Sequence, residues 1–202
     1  MTSWMPPVTQ IPGREPPIAL GEAFETVLAS ARAGAEWAWR ELYRETAPAV
    51  DRYLRARGVR AADDLVGDTF VNVVRSIDGF AGGEIAFRAW VFAIARNRAT
   101  DELRRVIRHP SAPASAEELE AHGPRGDVEG EAMEGLASER IGRLLDALTA
   151  DQRDVLLLRI IGGLSIDQVA AAVGRKPGAV KMLQARGLAA IRQEIQRGAV
   201  TL

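Results

Sequence analysis

The chain has 202 residues, no cysteine and a formal net charge of −1 at pH 7. Without cysteine, a disulfide framework and a thiolate zinc site are both excluded. The two histidines, His109 and His122, lack metal-ligand spacing. No apolar run approaches the roughly 18 residues of a membrane-spanning helix, and the N-terminus does not resemble a signal peptide. We therefore expect a cytoplasmic protein without membrane insertion, metal site or cofactor.

Charge is segregated along the chain rather than mixed. Acids dominate residues 117–134, where Arg125 is the single base, and bases dominate residues 175–197, where Glu194 is the single acid. Such segregation indicates that different segments have different tasks. The acidic segment lies in residues 109–137, whose proline and glycine content predicts a flexible linker between two domains.

Residues 1–19 are rich in proline and predict a flexible arm. Helical spacing begins at residue 20, with a break or a new helix expected at Pro48. Trp37 and Tyr43 are expected in the core. Residues 63–77 predict another helix, whose aspartates suit the positive end of the helix dipole. A glycine-rich loop then covers residues 78–84.

The segment from Phe87 to Arg105 predicts a helix with two different faces. An apolar face carries Phe87 and Trp90, and another face carries Arg96, Thr100 and Arg104 at a spacing of four residues. Spaced arginines beside small side chains suit phosphate. A solvated polar face of an ordinary bundle helix is the alternative.

Residues 138–202 have the pattern of a helix-turn-helix domain. Capping boxes at Thr149 and Ser165 each begin a helix, Gly174 turns the chain, and Pro177 fits the first turn of a basic helix. A short helix, a glycine turn and a longer basic helix are typical of DNA binding. A helical hairpin with a basic surface is the alternative.

These segments together resemble the bacterial extracytoplasmic-function (ECF) sigma factors of the sigma-70 family. Residues 20–108 resemble sigma region 2 through ADDLVGDTFVNVVRSIDGF and FRAWVFAIARNRATDELRR. Residues 138–202 resemble region 4 through LTADQRDVLLLRIIGGLSIDQVAAAVGRKPGAVKMLQARGLAAIR. The resemblance implies an all-α chain: a region 2 helical bundle and a region 4 helix-turn-helix domain, joined by a flexible acidic linker.

The resemblance also implies a function and partners. The chain is expected to bind core RNA polymerase, through the clamp helices of the largest subunit and the flap of the second-largest subunit, and to direct it to promoter DNA and help melt it. An anti-sigma factor is implied as an inhibitor. A self-standing helix-turn-helix regulator is the first rival, and a helical enzyme the second. We do not expect the protein to be an enzyme, because the sequence shows no convergent set of acid–base or metal-binding residues.

Three sets of site residues follow from the resemblance. The set implied to bind core polymerase is Asp64, Leu65, Asp68, Phe70, Val71 and Val74. The set implied to bind the minus-ten element is Phe80, Arg96, Asn97, Arg98, Thr100, Arg104 and Arg105. The set implied to bind the minus-thirty-five element is Arg175, Lys176, Gly178, Ala179, Lys181, Met182, Ala185 and Arg186.

The recognition helix departs from the family pattern. The usual GTVKSRLARAR is here GAVKMLQARGL, so Ala179 replaces threonine and Met182 replaces serine. Lys181 and Arg186 remain as donors to guanine edges or phosphate. With fewer polar contacts, readout of the minus-thirty-five element is expected to depend on phosphate contacts and DNA shape.

Overall fold

The computed structural model describes residues 20–108 and 140–198, and every regular element in them is helical. We call residues 20–108 the N-terminal domain and residues 140–198 the C-terminal domain. The first contains α1 (Phe24–Arg32), α2 (Glu36–Ala56), α3 (Ala62–Ser76) and α4 (Glu84–Arg108). The second contains α5, described over residues 140–146, then α6 (Ala150–Ile160), α7 (Ile166–Val173) and α8 (Pro177–Gln196). The predicted arm and linker, with both histidines, lie outside the described residues.

The N-terminal domain packs α1, α2 and α4 around an aromatic and aliphatic core. Phe24 and Phe87 meet with ring centroids 5.6 Å apart, and Tyr53 meets Phe92 edge-on at 5.6 Å. These rings are fully or nearly fully buried, together with Leu42. Buried aromatic pairs of this geometry add about 1 kcal/mol beyond their area burial.

Helix α2 runs through Pro48 without a break, so the break or new helix expected there is wrong. Proline removes one backbone hydrogen bond to the preceding turn. Here Pro48 is exposed, while its neighbours Ala47, Ala49 and Val50 are buried. The missing hydrogen bond therefore lies on the solvent side of the helix, where water can bind the carbonyl that lacks a donor. Packing of the buried side chains against the core keeps the helix continuous.

Two aromatic residues of α2 lie at the surface rather than in the core, so the sequence-based expectation for them is wrong. Trp37 is 51% exposed and Tyr43 is 47% exposed. Tyr43 still rests on the ring of Phe70, with centroids 4.6 Å apart. Helical spacing identifies the apolar face of a helix. It does not show how much of that face is covered by neighbouring helices.

Helix α3 contains a glycine, and the structure predicts that replacing it stabilises the domain. Gly67 lies in the helix interior, and an added Cβ meets nothing within 4 Å. We expect Gly67→Ala to raise the free energy of unfolding by about 1 kcal/mol, because alanine restricts the unfolded chain more and favours the helix. Urea unfolding followed by circular dichroism measures this change.

A second glycine provides the opposite control for this measurement. Gly82 has a φ of +140°, and an added Cβ lies 2.8 Å from the Cβ of Ala86. Gly82→Ala should therefore lower the free energy of unfolding. A destabilised Gly67→Ala variant would contradict the expectation for α3.

The C-terminal domain begins its helices as its sequence predicts. The side chains of Thr149 and Ser165 each accept a hydrogen bond from the backbone amide three residues ahead. The backbone amides of Thr149 and Ser165 in turn donate to the side-chain oxygens of Gln152 and Gln168, so both capping boxes are confirmed. Gly174 ends α7 in the left-handed conformation, with φ of 65°. Pro177 occupies the first turn of α8. The helix-turn-helix pair is thus formed by α7 and α8.

The two domains are in contact in this structure. Helix α7 packs against α4 and α6 touches α2, and the buried cores of both domains form one continuous cluster. Gln168 Nε2 also donates to the carbonyl of Ile85 at 3.3 Å. One side of α4, the helix predicted to bind the minus-ten element, is therefore covered by the C-terminal domain.

Candidate polymerase and nucleic-acid interfaces

Helix α3 presents a mixed acidic and apolar surface, which we call the docking face. Asp64, Asp68, Val71 and Val74 are all exposed, and the spacing of 64, 68 and 71 aligns those residues along one side of the helix. Within the described residues, no ion pair is formed by the carboxylates of Asp64 and Asp68. Asp63, one residue earlier, is instead bound by Arg55 at 2.7 Å.

The remaining two residues predicted to bind polymerase face the other way. Leu65 and Phe70 are buried, with 8% and 7% exposure. Their side chains pack in the core of the domain, so in this conformation they support α3 from behind. Direct contact with a partner is available to the exposed residues of the docking face.

The glycine-rich loop is held in place by an arginine of α1. The Arg32 guanidinium donates to the carbonyls of Ile77 and Phe80. The ring of Phe80 stacks on Trp90 with centroids 5.0 Å apart, and Phe80 is 9% exposed. This loop is therefore braced on the domain core, and Phe80 serves as its anchor in this conformation.

The residues predicted to bind the minus-ten element divide into an exposed and a covered group. Asn97, Arg98, Arg104 and Arg105 are exposed on α4, with Arg105 bound to Glu102 at 2.8 Å. Arg96 and Thr100 are partly buried. Arg96 donates through Nε to Asp154 of the C-terminal domain at 3.0 Å.

Asp154 is the centre of a buried polar cluster between the domains. It is 2% exposed. Its carboxylate is bound by Arg57 and Arg96, and the hydroxyl of Tyr53 donates to it at 3.4 Å. Arg57 also donates to the hydroxyl of Thr100 at 3.3 Å. Removing one partner of a buried ion pair costs about 3–5 kcal/mol, because the other charge is left unpaired.

Burial also shifts the pKa values of two groups in this cluster. Desolvation raises the pKa of the Asp154 carboxyl, although Arg57 and Arg96 oppose this effect. Burial and the nearby Asp154 raise the pKa of the Tyr53 hydroxyl. Tyr53 therefore remains a hydrogen-bond donor to the carboxylate.

Asp154, Arg57 and Tyr53 were not among the residues predicted from the sequence. The sequence does contain an indication that Asp154 is buried. It precedes Leu157 and Leu158 by three and four residues and so lies on the apolar side of α6. A carboxylate in such a position needs a buried partner. The identity of that partner depends on the packing of a distant helix.

Helix α8 exposes the side predicted to read DNA. Lys181, Met182, Ala185 and Arg186 are exposed, and we call them the recognition face. Val180 is buried at the back of the helix. Of the remaining predicted residues, Lys176 and Gly178 are exposed, Ala179 is partly buried and Arg175 is bound to Asp151 at 2.5 Å. The recognition face is thus uncovered, while one side of α4 is covered by the C-terminal domain.

Residues 20–108 and 140–198 contain neither a candidate metal site nor a candidate membrane-spanning helix. No cluster of three or more histidine, aspartate or glutamate side chains has a metal-binding arrangement there. None of the helices in those two ranges combines the length and hydrophobicity that crossing a bilayer requires.

Comparison with known families identifies the class of the protein. Residues 42–108 match the family model for Sigma-70 region 2, and residues 138–191 match that for Sigma-70, region 4. The all-α, two-domain fold class is confirmed. SigD of Mycobacterium tuberculosis, an ECF RNA polymerase sigma factor, is 33% identical over 181 residues, covering 87% of this chain and 85% of SigD. The chain belongs to the ECF RNA polymerase sigma factors.

Two solved structures share the fold of this chain. CnrH, solved in complex with the cytosolic domain of CnrY, has 25% sequence identity and a TM-score of 0.63, covering 87% of this chain and 99% of CnrH. RpoE of Bartonella quintana, solved with the anti-sigma factor NepR, shares the fold with 22% identity and a TM-score of 0.59, covering 78% of this chain and 96% of RpoE. A self-standing helix-turn-helix regulator is not favoured.

Proposed function

We propose that the chain binds core RNA polymerase through the docking face and promoter DNA through α4 and α8. The observation that carries this proposal is the distribution of exposed charge over two domains. The docking face offers unpaired carboxylates beside apolar side chains, which suits a basic helical partner such as the clamp helices. The recognition face offers Lys181 and Arg186 on the second helix of a helix-turn-helix pair.

In this proposal α4 and the preceding loop hold the non-template strand of the minus-ten element. Arg98, Arg104 and Arg105 supply exposed cations along α4, and single-stranded DNA needs such a basic groove. Extrusion of a base costs a few kcal/mol, which a pocket must offset. The braced loop that ends at Glu84 is the candidate for that pocket. Single-stranded DNA is also bound by stacking of bases on aromatic side chains, but Phe92 of α4 is fully buried in this conformation and offers no such surface.

In this proposal the protein is a transcription initiation factor and not an enzyme. It acts in the cytoplasm, where RNA polymerase and the chromosome are found. We include the flap of the second-largest polymerase subunit as the partner of the C-terminal domain. An anti-sigma factor is a further proposed partner, supported by the family resemblance and by the complexes in which CnrH and RpoE were solved.

Run-off transcription tests the proposed function. The full chain, mixed with core polymerase and a library of genomic promoter fragments, should produce transcripts with defined start sites that are absent with core polymerase alone. A self-standing regulator would instead bind duplex DNA without polymerase and produce no such transcripts. Failure on every template would contradict the proposal.

A further inference from the structure

The buried carboxylate between the domains has a one-sided environment. Asp154 belongs to the C-terminal domain, but the groups that bind it, Arg57, Arg96 and Tyr53, all belong to the N-terminal domain. Separation of the domains would therefore move this side chain from full burial into water. The contact contributes to closure rather than to the fold of either domain.

The groups around Asp154 form an anion site on the N-terminal domain. Two guanidiniums converge on one carboxylate, and the hydroxyl of Tyr53 donates to it as well. Arg57 is held in turn by Thr100, to whose hydroxyl it donates at 3.3 Å. Thr100 is itself fixed, because its hydroxyl donates to the carbonyl of Arg96 at 2.8 Å. Paired guanidiniums bind a phosphate as readily as a carboxylate. The site therefore suits a phosphate of a nucleic-acid backbone.

We propose that Asp154 is an intramolecular latch, whose carboxylate fills the anion site of Arg57, Arg96 and Tyr53 in the free chain and gives way there to a backbone phosphate of single-stranded DNA when the domains separate. This inference rests on the proposed function and deepens it. It adds Arg57, a residue at the end of α2, to the DNA-binding surface. It also makes closure and binding at this site mutually exclusive, since one anion occupies the site at a time.

The rest of the closed structure indicates which activity is withheld. The docking face on α3 and the recognition face on α8 are both exposed in the closed chain, whereas Arg96 and Thr100 are covered. Closure therefore leaves the docking face open and occupies the part of the single-strand site that Arg57 and Arg96 form, while Arg98, Arg104 and Arg105 remain exposed. The latch thus weakens the binding of single-stranded nucleic acid by the free chain until polymerase engages it.

Domain separation can be measured directly, because the chain has no cysteine of its own. Arg52→Cys and Gln193→Cys place one exposed dye on each domain of the full chain. In this background Asp154→Asn keeps the shape of the side chain and removes its charge. We expect energy transfer to fall in Asp154→Asn. The matched control Asp146→Asn, which removes an exposed carboxylate bound to Arg153, should leave it unchanged.

Binding of a fluorescent 20-nucleotide single strand of mixed sequence is the second measurement. We expect Asp154→Asn to bind about tenfold tighter than the parent, the gain for a chain that is about 10% open at the outset. Adding Arg57→Gln to Asp154→Asn should reverse the gain. It should also reduce the slope of log affinity against log salt by roughly 0.7, as expected for the loss of one phosphate contact.

The outcomes separate the latch from the proposed function. The latch would be overturned if energy transfer between the two dyes is low in the chain that keeps Asp154, or if Asp154→Asn leaves the transfer unchanged. Either result would count against the latch whatever run-off transcription shows. Opening without tighter DNA binding would overturn the anion site. If Asp154→Asn loses its helical circular dichroism, Arg57→Gln alone provides the test from the other domain, and it should open the chain without increasing affinity. Loss of run-off transcription with intact opening would reject the sigma function alone.

Discussion

Replacing Asp64 and Asp68 together by lysine should abolish binding of the chain to core RNA polymerase, with a loss of affinity of about 100-fold or more. Both carboxylates are exposed beside Val71 and Val74. A basic partner helix would then meet like charge, which costs several kcal/mol across an interface. Neither side chain takes part in core packing, so the helical circular dichroism should persist. Fluorescence anisotropy of the labelled chain against core polymerase measures the affinity.

A matched control separates local docking from net charge. Glu22→Lys with Glu25→Lys changes the charge by the same amount at exposed positions near α1. Its affinity for core polymerase should stay near that of the parent at 0.15 M salt, where distant surface charges are screened. Equal losses in both double variants would assign the effect to overall charge, and unchanged affinity in the α3 variant would remove the docking face from the proposal.

Replacing Lys181 and Arg186 by alanine should be the second large effect, on recognition of the minus-thirty-five element. Both side chains are exposed in the N-terminal half of α8, the part of a recognition helix that enters the major groove. A residue that reads a base contributes about 1–3 kcal/mol, and its loss relaxes specificity at one position. The measurement is holoenzyme binding to a set of promoters with single changes in that element.

The pattern across promoters decides the role of each residue. A uniform loss with a salt slope smaller by about one unit would assign the residue to phosphate contact. Arg192→Ala is the control, because Arg192 is exposed on the same helix beyond its N-terminal half. Binding that is unchanged in the Lys181 and Arg186 variants would contradict the role of the recognition face.

Local order was well predicted where it depends on neighbouring residues. Capping boxes at Thr149 and Ser165, the left-handed Gly174 and the start of α8 at Pro177 all appear as expected, because each depends on backbone geometry within a few residues. The predictions for Pro48 and Trp37 failed, because continuity and burial of a helix depend on what packs against it.

The sequence by itself determined the all-α class, the helix-turn-helix pair and the segregation of acidic and basic segments. It also led to the sigma-factor family through the order of the matching segments. Tertiary structure decided which faces are free: it buried Leu65 and Phe70, exposed the docking face, and placed Asp154 between Arg57 and Arg96. The physical reason is that helical periodicity is a local property, whereas pairing of a buried charge joins residues far apart in the chain. Such a contact depends on the shape of two surfaces, and that shape exists only after both domains have folded.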